Sequence, residues 1–415
     1  MTSEYAAAYA CSSGEVKVRR NPYPYKAMLA ICSDLDETVS ADVYLNTSRY
    51  LNTTENTPFG KGLGLETGNT IFFYMPDTEF SYWDASEKDR QAVRSLIQSG
   101  HIDSIHSFGD LATSRSQAAE TLEHLDRHGC KMKVWIDHAI APTNFGADIM
   151  QGHGDVPGHD AYHADLTLDY GVQYIWTGRV TSMHGQDAPV SLAGIGDSPD
   201  GHYQYKTALK EAAKVVLGMT GNTRYRMHSA NRLLRTTTLR DGQVSKEFFR
   251  SNPHPGGISV GDNSKGIGTA LRPAFLNRLE ARGARSIVYT HLGKLIDPLT
   301  GFAGASREAF EDLAARQHEQ KILVTTTYRL LNYASTLAEL TLDIRVIDGT
   351  TEITVNGVRD DASLDGLSLE VPATDDVRVT RDGREIPVRS VTGAPNSSRK
   401  MLIVDWHRLD YPGVK

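Results

Sequence analysis

Between residues 27 and 330 the chain repeats one pattern: a short apolar run, a polar or glycine-rich loop, then a helical stretch. The runs are AMLAICSD (27–34), TIFFYM (70–75), IDSIHS (102–107), KVWIDH (133–138), VQYIWT (172–177), RSIVYTH (285–291) and KILVTTT (321–327), with NRLLRTTTL (231–239) a weaker one. Short β-branched and aromatic runs bounded by polar residues suit strands buried on both faces of a parallel sheet. Between them, 86–100 and 113–129 read as helices that end in glycine, and 306–320 carries a one-face apolar stripe at 309, 310, 313 and 314. Seven or eight strands alternating with helices predict an α/β fold, a distorted (β/α) barrel over residues 21–340, with chemistry where the strands end.

After residue 340 the period changes. LTLDIRVID, TEITVNGV, LSLEVPA, VRVTRDGREIPVRSV and RKMLIVDW alternate and are separated by Asn-Gly and Asp-Gly turns. They predict a small antiparallel, sandwich-like accessory domain over 341–415, with a packing or carbohydrate-contacting role. Residues 1–20 read as an N-terminal extension.

Composition narrows the partners. The 44 Lys and Arg against 51 Asp and Glu leave a net charge of −7 without a long basic run, which argues against nucleic acid or an anionic membrane. The three cysteines, Cys11, Cys32 and Cys130, share no CxxC spacing, so neither a disulfide framework nor a cysteine zinc site is expected. No stretch reaches the roughly 20 apolar residues of a membrane span. The N-terminal positive charge follows a weak apolar segment, the wrong order for a secretion signal, and the expected location is cytoplasmic.

Candidate chemistry clusters at strand ends: Asp34 and Asp36, then His106 and Asp110, then Asp137 and His138, then His291. Leaving so many ionisable groups buried without a ligand would be costly. Alternate residues on a strand face one way, so Asp34 and Asp36 can share a cavity; the bland reading is that Asp36 or Thr38 caps a following helix. His106 and Asp110, four apart, would grip one ion if they lie on a helical turn.

With SDLDE at 33–37, HSFGD at 106–110 and YTHLG at 289–293, the chain resembles the polysaccharide deacetylase superfamily, the NodB-homology carbohydrate esterases. The resemblance spans residues 27 to 330. It implies a divalent metal, zinc first, with cobalt, nickel, manganese or iron as alternatives. Asp36, His106 and Asp110 would be its ligands, Asp34 the base acting on metal-bound water, and His291 the acid that protonates the departing amine. The substrate implied is an N-acylated amino sugar, deacylated in surface polysaccharide metabolism. The sequence departs from the family in having Asp110 where a second histidine is usual, and two carboxylates with one imidazole would neutralise a 2+ ion fully. The family's Arg-Pro-Pro motif, whose arginine steadies the base, has no clear counterpart, with Arg179 or Arg235 as substitutes by position. Trp176, Arg179 and His138 are assigned to the substrate side, and the Asp137-His138 pair could instead supply a ligand or orient another group.

Three rivals stand beside this reading. His159 and His163, four apart with Asp160 and Asp165 nearby, approximate a zinc-protease pattern, although a solvated helix face is the plainer account; the preceding QGHGDVPGHD reads as a flexible substrate-binding loop. A metal-independent glycoside hydrolase with paired carboxylates fits the same barrel. A catalytically silent carbohydrate-binding protein is the third.

Overall fold

The structure is a computed structural model, and it describes residues 8–11, 14–181, 183–189, 201–221, 225, 230–392 and 397–413. Its main body is one 11-stranded sheet that curls into a half-barrel. In spatial order the strands are Val180–Thr181, Arg250–Ser251, Arg285–Thr290, Ala27–Ser33, Gly68–Ile71, Ile102–His106, Val134–Ile136, Tyr174–Trp176, Val244–Phe248 and Leu234–Thr238, and Ile322–Thr325 also pairs with Ala27–Ser33. All of these pairings are parallel except the hairpin of the last two strands in the row. The stretch 244–251 serves both flanks of the sheet: Lys246 and Glu247 pair with Tyr174 and Ile175, and Ser251 pairs with Val288.

The strand Ala27–Ser33 shows why these runs fold as they do. It is buried along its whole length, and its side chains alternate between two cores. Ala27, Leu29 and Ile31 pack outward against Phe275, Leu276 and Phe310 of covering helices. Met28, Ala30 and Cys32 pack inward with Ile136, Trp176, Phe248 and Ile287. A strand with two apolar faces needs no polar alternation, which is the sequence signature of such a sheet.

The helices begin where local capping starts them. Ser86 accepts from the Asp89 amide ahead of Glu87–Gln98, and Ser114 forms a reciprocal capping box with Gln117 ahead of Arg115–Arg127. The Ala305–His318 helix occupies the third predicted stretch. Among the described residues, no helix is long and apolar enough to cross a membrane.

Two expectations change. The weak run at 231–239 supplies an antiparallel edge strand, Leu234–Thr238, while its partner Val244–Phe248 carries the parallel pairing. Val244–Phe248 has no apolar run to announce it, because Lys246 and Glu247 sit in its middle. Glu247 is nonetheless buried, since Arg179 and Arg235 neutralise it from neighbouring segments. Within the N-terminal stretch, Gly14–Val18 pairs antiparallel with Ser368–Pro372, in a five-stranded sheet completed by Arg399–Ile403 and its neighbours. In the second small sheet Thr350–Asn356 runs parallel to Asp376–Arg381, so the C-terminal region is not purely antiparallel.

Candidate metal centre

The alternation that fills the inner core also builds the site. Continuing the inward register 28, 30, 32 by one step reaches Asp34, just past the strand end. The aligned strands do the same at His106, Arg250 and Tyr289, since His106 lies opposite Ile136 and Tyr289 opposite Cys32. The apolar inner face therefore terminates in a ring of polar and aromatic groups at one end of the sheet.

Asp34, Asp36 and His106 offer one ligand atom each within 4.8 Å of one another, a group able to hold a metal ion. Asp36 is free to do so because the following helix, Ala41–Asn52, is capped by Ser40 rather than by Asp36 or Thr38. His106 is fully buried, stacked on Phe72 at 4.3 Å, with its Nε2 3.8 Å from Asp34 Oδ2. Burial pushes its pKa down to about 4, against the pull of Asp34 and Asp36. The ring is therefore neutral near pH 7, the form that ligates metals. Two oxygen donors and a neutral imidazole suit a borderline divalent ion.

Asp36 lies between two further imidazoles. His138 Nε2 contacts Oδ1, and His291 Nε2 lies 2.7 Å from Oδ2. Burial works to raise the Asp36 pKa, but its close contacts with His138 and His291 hold it well below the usual carboxylate range. His291 Nδ1 donates to the Asp262 carbonyl at 2.7 Å, which leaves Nε2 as its titrating nitrogen. Burial opposes the charge on His291, yet Asp36 raises its pKa overall.

The arginine on Asp34 is Arg250, which neither the motif nor the position of Arg179 or Arg235 suggested. Its Nη1 donates to Asp34 Oδ1 at 2.6 Å. The guanidinium is fully buried between two rings, 3.5 Å from the Trp176 centroid and 4.3 Å from that of Tyr289. Among the described residues its Nε and Nη2 have no hydrogen-bond partner, so the two aromatic faces are what compensates that side of the cation. The available signal was EFFRSNP at 247–253, an arginine ending an apolar pair ahead of a loop.

Five other assignments move. Trp176, placed on the sugar side, is only 1% exposed and lies beneath Arg250, its indole N–H donating to the Arg179 carbonyl. Arg179 points instead to Glu247 and Asp148, and Arg235 also binds Glu247. Asp110 does not join the His106 group. Ser107, Phe108 and Gly109 have φ of 50°, 60° and 101°, a left-handed turn rather than the helical turn that would bring positions four apart together. Asp110 is swung outward and accepts from His138 Nδ1 at 2.8 Å. Asp137 accepts from the Trp135 indole and the Phe145 and Gly146 amides, fastening the 137–146 loop.

The rival histidines are occupied elsewhere. His163 is buried, its ring bridging Thr167 Oγ1 and the Thr143 carbonyl at 2.8 Å each. Asp165 pairs with Arg115, and His159 stacks on His153. The glycine-rich loop before them is closely packed: a Cβ on Gly154 would lie 2.2 Å from the Thr143 carbonyl oxygen and 2.7 Å from His163 Nε2. Comparison of the chain with protein-family models, with curated proteins and with solved structures finds no match.

Proposed function

We propose that the chain is a metal-dependent hydrolase that removes an N-acetyl or other N-acyl group from an amino sugar, on a (β/α) barrel closed through residues 244–251. The observation that carries this reading is the buried Asp34, Asp36 and His106 group at the strand ends, with Arg250 clamped on Asp34. Asp36 and His106 would hold the ion, zinc or another borderline divalent metal. Such an ion supplies an ionisable water and polarises an acyl carbonyl.

The chain's own groups divide the proton work. Arg250 fixes Asp34 through Oδ1, which leaves Oδ2 on the His106 side to accept a proton from the attacking water. His291, whose pKa is raised by its contact with Asp36, would supply a proton from Nε2 to the departing nitrogen. The metal-free glycosidase reading needs a protonated carboxyl as acid, and Asp36 does not suit that part, since it is held well below the carboxylate range.

Elemental analysis with a deacetylation assay tests the reading. One divalent ion per chain is expected, lost in Asp36→Ala and His106→Ala but retained in His159→Ala and His163→Ala. Asp34→Asn should keep the ion while turnover of an N-acetylated amino sugar falls by roughly 10²–10⁴-fold. A metal-free wild-type protein, or full metal in Asp36→Ala, would overturn the assignment.

A further inference from the structure

The His106 turn leaves one question of donors unsolved, and the strand beside it answers it. Asp110 is turned away from the ion position by three consecutive left-handed residues. His138, two residues past the Val134–Ile136 strand, reaches the same place from the neighbouring strand. We propose that His138 is the second imidazole ligand of the metal centre, and that Asp110 is a positioning residue that acts through it. This inference rests on the metal-dependent reading above and adds a ligand to it.

Three observations support it. His138 has a carboxylate at each ring nitrogen: Nε2 forms an ion pair with Asp36 Oδ1, which a bound metal would replace, and Nδ1 faces Asp110 Oδ1 at 2.8 Å. Ligating histidines almost always donate the remote N–H to such an acceptor, which orients the ring. The second observation is shared support. Phe72 stacks on His106 at 4.3 Å and meets the edge of His138 at 5.0 Å, and the two imidazoles are themselves 5.0 Å apart, nearly perpendicular. One apolar wall thus holds both rings around Asp36. The third is charge. An ion on Asp36, Asp110 and one imidazole would be neutralised, whereas Asp36 with two imidazoles leaves a net positive centre, which better acidifies a bound water.

The donor set is then Asp36, His106 and His138. The chain thereby keeps two histidines at the metal without the usual histidine four positions after the first. His138 contacts Asp36 but falls outside the group formed by Asp34, Asp36 and His106, so metal binding is expected to draw it inward.

Cobalt(II) titration of the full chain, read by visible absorption and by proton NMR, tests the assignment. In the loaded wild-type protein two strongly shifted, exchangeable imidazole N–H resonances are expected, one per ring. His138→Ala should weaken cobalt binding by at least 10-fold and alter the visible bands. Asp110→Ala should weaken it by roughly 10–100-fold, and Asp110→Asn, whose amide oxygen still accepts from Nδ1, should restore most of the affinity. A single imidazole resonance in the wild type needs no variant to fold and would overturn the inference alone. Unchanged affinity and spectrum in both His138→Ala and Asp110→Ala would do the same. A wild-type chain that binds no cobalt would instead remove the functional reading beneath it.

Discussion

Arg250 is a buried cation that meets one carboxylate oxygen, the Cys32 sulfur and two aromatic faces. Such a pair adds little net stability over an apolar replacement, but half of it is costly to leave behind. Arg250→Met should therefore destabilise the fold by roughly 3–5 kcal/mol, because Asp34 stays buried without its partner. The double variant Asp34→Asn, Arg250→Met should recover part of that loss. Denaturant unfolding of the pair measures it, and a double variant no more stable than the single one would show that Arg250 acts through packing alone. The same residue scale separates the histidines: His106, His138 and His291 surround Asp36, whereas His163 spends both ring nitrogens inside the core.

At the scale of elements, the short turn after Ile102–His106 decides which groups meet. Gly109 at φ 101° passes so close to the preceding loop that a Cβ would sit 2.2 Å from the Tyr74 carbonyl oxygen. Gly109→Ala should thus cost clearly more than Gly129→Ala. The latter also has positive φ but meets open space, and it carries only the left-handed strain of roughly 1–2 kcal/mol. Gly109→Ala should also weaken metal binding, since His106 and Asp110 flank the turn. Equal unfolding free energies for the two variants would remove the close approach as the reason for glycine here.

At the scale of the molecule, the C-terminal segment ties the small sheets to the far end of the barrel-like body. Trp406 packs over Arg329, Arg408 donates to the Gly64 and Leu65 carbonyls, and the Leu409 amide donates to buried Glu66. Tyr411 meets His101 edge-on at 5.0 Å. A cleft of about 420 Å³ lies beside this seam, near the starts of Ile102–His106 and Val134–Ile136, away from the Asp34, Asp36 and His106 group. Removing residues 405–415 should lower Tm by several degrees while metal per folded chain stays unchanged. Loss of metal from the folded remainder would show that the two ends of the sheet are coupled.

What the sequence determined was local. Apolar runs with two buried faces marked the parallel strands, Ser86 and Ser114 marked helix starts, and the period of two brought Asp34, Asp36 and His106 to strand ends. The partners of those groups were decided only in three dimensions. Arg250 reaches Asp34 across 216 residues of sequence, through the register that sets Ser251 beside Val288. Glu247 could hide in a strand because Arg179 and Arg235 approach from separate segments, and Gly14–Val18 found its sheet at the opposite end of the chain. Asp110 turns away from the His106 group and meets His138 instead, because a left-handed turn, not a helical one, follows His106. Side-chain alternation is written in neighbouring residues, whereas strand register and turn dihedrals are set by packing against distant ones, and those choose which donors share a site.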